Sequence, residues 1–143
     1  MNKLSKNETI IQTLQNRMIR AVLGVGIKLH VNMKDVRNQI NMMSVNQMSI
    51  YHTLLEAHNI MKYTSSDQIK MKWSDEYEKK YLLRNQTRNN LRVPDKTLTK
   101  CIGFTYCGAK LYNMLPSNIK ENLNTNIFKT MIKKWIWENI PSF

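Results

Sequence analysis

The carboxylates that could support phosphoryl transfer are few, and their spacing does not fit an active centre. A two-metal polymerase or nuclease needs paired carboxylates that hold two ions about 4 Å apart. The sequence has no Asp-Asp pair, and its one pair of adjacent acids is Asp75 and Glu76. These acids lie in a charged stretch with Glu78, Lys79 and Lys80, which suits the first turn of a solvated helix. We therefore expect no two-metal centre.

Other chemical motifs are also missing. His52 and His58 are six residues apart, so they do not share a helical face as zinc ligands at i and i+4 do. Cys101 and Cys107 have the wrong spacing for a zinc finger or knuckle. Gly24-Val25-Gly26 lacks the third glycine of a dinucleotide-binding loop. We expect no enzymatic activity, no cofactor, no bound metal and no small-molecule substrate.

The charge of the chain is strongly unbalanced. Its 143 residues include 22 Lys plus Arg against 10 Asp plus Glu, a formal net charge of +12. Such a surplus attracts polyanions. The cations are spread along the sequence and do not form one polybasic run beside an apolar helix, which favours nucleic acid over anionic membrane. We find no secretory signal and no membrane span, and we expect an intracellular protein, nuclear or cytoplasmic.

Between Arg84 and Lys120 the chain has seven cations, and Asp95 is the one opposing acid. Such residues neutralise phosphates and release counterions, a mode of binding that does not read sequence. The aromatic residues Phe104, Tyr106 and Tyr112 lie in the same stretch, where they either stack on unpaired bases or fill the core. The core is the more frequent place for aromatics at this spacing.

Helical signals dominate the N-terminal half. Ser5 and Glu8 have capping-box spacing, and apolar residues from Ile10 to Val22 recur at helical intervals until Gly24 and Gly26 end the element. A short helix is predicted from Met33 to about Ile40. Ser44 and Gln47 form a second capping-box pair, which opens a helix over residues 44–62. The first and third helices should pair through their apolar faces.

The C-terminal half is predicted to be more mixed. A helix is predicted over residues 74–84. Residues 88–104 alternate apolar and polar side chains across Pro94, which indicates a short extended or hairpin segment. Residues 125–139 form an amphipathic helix that Pro141 ends. The predicted fold is mainly α, with four or five helices. It divides into a helical part, 1–83, and a basic extended segment plus C-terminal helix, 84–143, in one compact unit.

Three short motifs follow one another in a specific order. They are Thr87-Arg88-Asn89-Asn90-Leu91-Arg92-Val93-Pro94, then Phe104-Thr105-Tyr106-Cys107-Gly108-Ala109-Lys110-Leu111-Tyr112-Asn113-Met114-Leu115-Pro116, then Ile119-Lys120 with Phe128-Lys129. This succession resembles the C-terminal tail of non-LTR, LINE-like retrotransposon reverse transcriptases. Tyr112 stands where that family usually has Trp. Upstream, residues 14–20 and 44–61 look like the helical thumb that follows the polymerase palm.

The resemblance implies binding without catalysis, because the family's endonuclease, fingers and palm are not present. In the intact enzymes this end of the polypeptide helps to grip template RNA and target DNA. From the resemblance and the charge together, we predict that RNA or DNA is bound by Arg17, Arg20, Arg84, Arg88, Arg92, Lys96, Lys100 and Lys110.

Two alternatives remain open. In the first, the chain is a protein-interaction module whose terminal helix docks Ile127, Phe128, Met131 and Trp135 into the groove of a partner, although this stripe more often closes a chain's own core. In the second, it is an inert remnant, or acts only beside a separate catalytic polypeptide. A thumb separated from its palm would expose an apolar face and aggregate.

Overall fold

The structure is a computed structural model that describes residues 5–26, 29–63, 90–91, 93 and 103–142. These residues form six helices and, within the described ranges, no strand, which confirms the mainly α fold. The helices are α1 (Lys6–Val22), α2 (Met33–Gln39), α3 (Val45–Tyr63), α4 (Phe104–Met114), α5 (Ser117–Lys120) and α6 (Thr125–Asn139).

Two helices, α4 and α5, were not predicted. Phe104 begins α4, whereas the sequence placed it at the end of the extended segment. Low helix propensity hid this element, because α4 opens with Phe104, Thr105 and Tyr106, aromatic and β-branched residues. The helix is instead stabilised by the tertiary packing of its buried residues, Gly108, Ala109 and Tyr112. Of the predicted extended segment, the structure describes only residues 90, 91, 93, 103 and 104; the predicted 74–84 helix lies outside the described ranges.

Both ends of α1 follow the predicted local rules. The Ser5 hydroxyl accepts from the Glu8 backbone N–H, and the Glu8 carboxylate accepts from the Ser5 N–H at 2.7 Å, which completes the capping box. At the other end Gly24 has a φ of 64°, a left-handed conformation that glycine adopts without strain. The Val25 N–H then donates to the Arg20 carbonyl at 2.9 Å, which closes the turn.

The other predicted caps are also present. The Ser44 N–H donates to Gln47 Oε1 at 3.0 Å, and the Gln47 N–H donates to Ser44 Oγ at 3.4 Å, the second capping box. The Asn124 side-chain oxygen accepts from the backbone N–H groups of Asn126 and Ile127 at the start of α6. Four of the six helices therefore begin and end close to the predicted residues.

The chain divides into two compact units, which are described separately. The first unit comprises residues 1–49 and 136–143, and the second comprises residues 50–135. The division thus falls inside α3 and α6. The sequence instead set its boundary between residues 83 and 84, both outside the described ranges.

The polar face of α1 packs into the first unit. Gln12 is buried, and its Oε1 accepts from the Val45 N–H at 2.8 Å. Gln15 Nε2 donates to the Met43 carbonyl at 3.0 Å, and Asn16 Oδ1 accepts from Arg37 Nη1 at 2.6 Å. Ile19 is also buried on this face, whereas the apolar residues Ile10, Ile11, Leu14 and Met18, which were expected to pair with the third helix, are exposed.

The buried cation Arg37 depends on this polar face. Its side chain is 1% exposed, and its Nη2 donates to Ser142 Oγ at 3.3 Å in addition to the bond with Asn16. Burial lowers the pKa of Arg37 from its ordinary value, because a charge is costly to remove from water. Sequence reasoning did not single out Arg37, since an Arg on a short amphipathic helix is normally exposed.

The Asn16–Arg37 bond can be tested by substitution. We expect Asn16→Ala to lower the free energy of unfolding by about 2 kcal/mol, because a buried guanidinium N–H then loses its acceptor. Asn7→Ala is the matched control, since Asn7 is exposed on the same helix. The measurement is urea unfolding followed by circular dichroism. Equal stability of the two variants would contradict this account of α1.

Candidate nucleic-acid interface

The structure describes three of the eight predicted nucleic-acid-binding cations. Arg17 is exposed and, within the described ranges, makes no hydrogen bond or ion pair. Lys110 is exposed, with its Nζ 5.9 Å from the centroid of the Tyr106 ring. The other five lie outside the described residues: Arg84, Arg88, Arg92, Lys96 and Lys100.

Arg20, the third of these cations, contacts the protein's own backbone. Its Nη1 donates to the carbonyls of Gly26 at 3.2 Å and Leu29 at 3.1 Å, and its Nη2 donates to the Val31 carbonyl at 3.4 Å. Three of its donors therefore hold the segment that follows α1. This geometry gives Arg20 a positioning role, and it leaves fewer donors for a phosphate than Arg17 has.

The exposed side of α6 carries a second set of cations. Lys129, Lys133 and Lys134 are exposed, while Phe128 and Ile132, about 100° around the helix from Lys129 and Lys133 respectively, are fully buried. Lys129 and Lys133 make no hydrogen bond or ion pair within the described part of the chain. The sequence showed these lysines off the apolar stripe but did not identify them as binding residues. The available signal was their spacing of i, i+4 and i+5 in the sequence.

A partly buried polar cluster joins the three sequence motifs in the second unit. Asn113 Oδ1 accepts from the Leu91 N–H at 2.6 Å, and Asn113 Nδ2 donates to the Leu91 carbonyl at 2.7 Å. One amide side chain thus satisfies both backbone groups of a residue that is 6% exposed. Residues 90–91, 112–113 and 120, taken from three separate motifs, therefore meet at one place.

Lys120 completes the polar cluster. Its Nζ donates to Asn90 Oδ1 at 2.8 Å and to the Asn113 carbonyl at 3.1 Å, and it lies 6.0 Å from the centroid of the Tyr112 ring. Lys120 is 5% exposed, and burial lowers its pKa. Tyr112 is also buried, which raises the pKa of its hydroxyl. The ammonium group of Lys120 is therefore not available to the phosphates of a bound nucleic acid. Tyr112 fills the core, so its ring is not available to stack on a base.

Two of the four residues of the predicted partner-docking stripe of α6 lie inside the protein. Phe128 is fully buried and Trp135 is 9% exposed, whereas Met131 is partly exposed and Ile127 is 48% exposed. A partner would reach Ile127 and part of Met131, but not the two aromatic side chains. The interpretation of this stripe as part of the protein's own core agrees with the burial of Phe128 and Trp135.

His58 is a buried titratable residue of the second unit. Its ring stacks on Phe128 with centroids 3.8 Å apart and planes 12° from parallel, and its side chain is 0% exposed. Neither ring nitrogen has a hydrogen-bond partner within the described residues. Burial, with a smaller effect of the nearby Lys62 charge, lowers the pKa of His58 to about 4.

The described residues contain no group of three His, Cys, Asp or Glu side chains arranged to hold a metal ion. None of the described helices is both long and apolar enough to cross a membrane. No protein-family model, curated protein or solved structure matches the chain. The relationship to reverse transcriptases stays a prediction from the motifs in the sequence.

The polar cluster predicts a specific effect of Asn113. We expect Asn113→Ala to lower the free energy of unfolding by about 2 kcal/mol, because the Leu91 N–H and carbonyl both lose their partner. We also expect faster amide hydrogen exchange at Leu91. Asn118→Ala, at an exposed position of α5, is the control. Unchanged exchange at Leu91 in Asn113→Ala would show that the side chain does not hold this segment.

His58 predicts loss of stability in acid. Its pKa is about 4 in the folded chain and about 6.5 when unfolded, so the unfolded chain binds the extra proton between these values. The contribution of His58 is therefore fully present above about pH 6.5 and is lost as pH falls towards 4. We expect about 2 kcal/mol of loss between pH 7 and pH 5.

Urea unfolding at several pH values measures this effect. His58→Phe keeps a ring beside Phe128 and should flatten the pH dependence over this range. His52→Phe is the control, because His52 is exposed. An equally steep pH dependence in His58→Phe would assign the acid sensitivity to other groups.

Proposed function

We propose that this chain is a non-catalytic protein that binds RNA or DNA through phosphate contacts without reading sequence, and that it derives from the tail of a non-LTR retrotransposon reverse transcriptase. Its net charge of +12 and its succession of motifs support this proposal. The protein would bind nucleic acid in the nucleus or the cytoplasm.

The observation that carries the proposal is the exposed face of α6. Lys129 and Lys133 lie one turn apart, about 6 Å along the helix axis, so both side chains can reach one nucleic-acid strand. Lys134 borders this face, and the neutral side chains of Asn126 and Thr130 are exposed beside it. Amide and hydroxyl groups are common donors to phosphate oxygens next to Lys and Arg.

The surface of the first unit supplies further cations. Arg17, Lys6 and Lys34 are exposed there. Cations spread over a surface attract a polyanion by counterion release, so the affinity should fall steeply as salt is added. A protein that binds in this way needs exposed cations but neither a metal ion nor a deep pocket. The lysines of α6 supply such cations.

Fluorescence polarisation over a salt series tests the proposal. The ligands are labelled single-stranded RNA, single-stranded DNA and duplex DNA of equal length. We expect binding whose logarithm falls linearly with the logarithm of the salt concentration. Lys129→Glu/Lys133→Glu should weaken binding about tenfold at low salt, and it should reduce the slope by about 0.7 per lysine on single strands.

The matched control is Lys6→Glu/Lys34→Glu, which lowers the net charge by the same amount. Both positions lie in the first turn of a helix, where Glu is compatible with the helix dipole. We expect this control to lose less affinity than the α6 variant. Equal losses would show that α6 is not the binding face, and no binding by folded wild type at low salt would refute the function itself. Arg84→Glu/Arg88→Glu/Arg92→Glu tests the remaining predicted cations.

A further inference from the structure

The outer face of α1 is an apolar stripe exposed to solvent. The exposed fraction is 52% for Ile10, 52% for Ile11, 51% for Leu14, 69% for Met18 and 84% for Val22. At 100° per residue these five side chains lie within about a third of the helix circumference. Together they expose on the order of 500 Å² of side-chain surface, a patch size that commonly marks a binding site.

This orientation is the reverse of an ordinary surface helix, which buries its apolar stripe and exposes its polar face. In α1 the apolar residue Ile19 is buried, but the other buried or half-buried positions include Gln12, Gln15 and Asn16. The side chains of these three residues bond to Val45, Met43 and Arg37. Those bonds prevent α1 from rotating to cover the stripe. The stripe is therefore a lasting feature of the folded first unit, and α1 cannot bury it by itself.

One edge of the stripe is cationic. Lys6 and Arg17 are eleven residues apart, which places them on the same side of the helix and about 16 Å apart along its axis. Both are exposed, and neither makes a hydrogen bond or ion pair with any residue that the structure describes. The acid of α1, Glu8, lies towards the other edge, and its carboxylate accepts from the Ser5 N–H.

We propose that the apolar stripe of α1 is a docking surface for an amphipathic helix of another polypeptide, one that carries carboxylates along the edge facing Lys6 and Arg17. The stripe is about 18 Å long from Ile10 to Val22, which matches three to four turns of a partner helix. Apolar contact would supply affinity, and the two cations would set the orientation of the partner.

Charge argues against the other occupants. A second copy of this chain carries +12 itself and brings the same cationic edge, so like charges would oppose self-association. Helices that bind membrane interfaces usually carry Trp or Phe beside a strongly basic polar face. In α1 there is neither Trp nor Phe, and its polar face bonds within the protein. An acidic-edged helix is the occupant that satisfies both the stripe and the edge.

Two synthetic helical peptides test the proposal on the full chain. Both carry the same leucine stripe, but one has Glu along a single edge with an eleven-residue spacing, and the other has Lys at those positions. Isothermal titration calorimetry should show about tenfold or tighter binding of the Glu peptide relative to the Lys peptide. Lys6→Glu/Arg17→Glu should reverse this preference.

Leu14→Ser/Met18→Ser should weaken binding of the Glu peptide about tenfold or more. Leu123→Ser/Met114→Ser is the matched control, because it changes the same residue types at exposed positions outside α1. The charge reversal keeps the test valid if the serine variant unfolds. Equal binding of both peptides would overturn the proposal. So would dimerisation in sedimentation, or binding to phosphatidylserine vesicles, that Leu14→Ser/Met18→Ser abolishes.

Discussion

The orientation of α1 depends on the hydrogen bonds that its amide side chains make inside the first unit. Gln12 bonds to the start of α3 and Asn16 bonds to the buried Arg37, whose guanidinium also bonds to Ser142. Buried polar groups without partners are costly, so only one rotation of α1 leaves these groups satisfied. That rotation buries Ile19 but turns the other large apolar residues of the helix, from Ile10 to Val22, towards solvent. The exposed surface of this unit thus follows from the pairing of its buried polar atoms.

The second unit uses the same kind of interaction for a different purpose. Asn113 satisfies both backbone groups of Leu91, and Lys120 bonds to Asn90 and to the Asn113 carbonyl. Phe128, Ile132 and Trp135 of α6 lie inside, and the lysines of this helix lie outside. In the first unit an apolar face is left exposed, and in the second a cationic face is. The two proposals, helix docking on α1 and phosphate binding on α6, follow from these two outcomes. Their central residues differ: the apolar stripe of α1 in one, and Lys129 and Lys133 in the other.

Local signals in the sequence predicted much of the fold. The capping boxes at Ser5 and Ser44, the glycine after α1 and the apolar period of α6 each involve residues within a few positions of one another. The features of the fold that the sequence did not predict depend on tertiary contacts. An apolar period shows that α1 has two faces but not which face the fold buries, and α4 lacks strong local propensity. The burial of Arg37, His58 and Lys120 depends on residues distant in sequence, to which no short motif refers.

The central claim is that α1 presents its apolar face to solvent, and methionine oxidation by dilute hydrogen peroxide tests it most directly. Met18 is 69% exposed on that face, whereas Met43 is 8% exposed in the same unit. Mass spectrometry of the native wild-type chain over time gives the oxidation rate of each. We predict that Met18 oxidises many times faster than Met43. Equal protection of the two sulfur atoms would mean that the apolar face of α1 is covered, and would contradict this account of the structure.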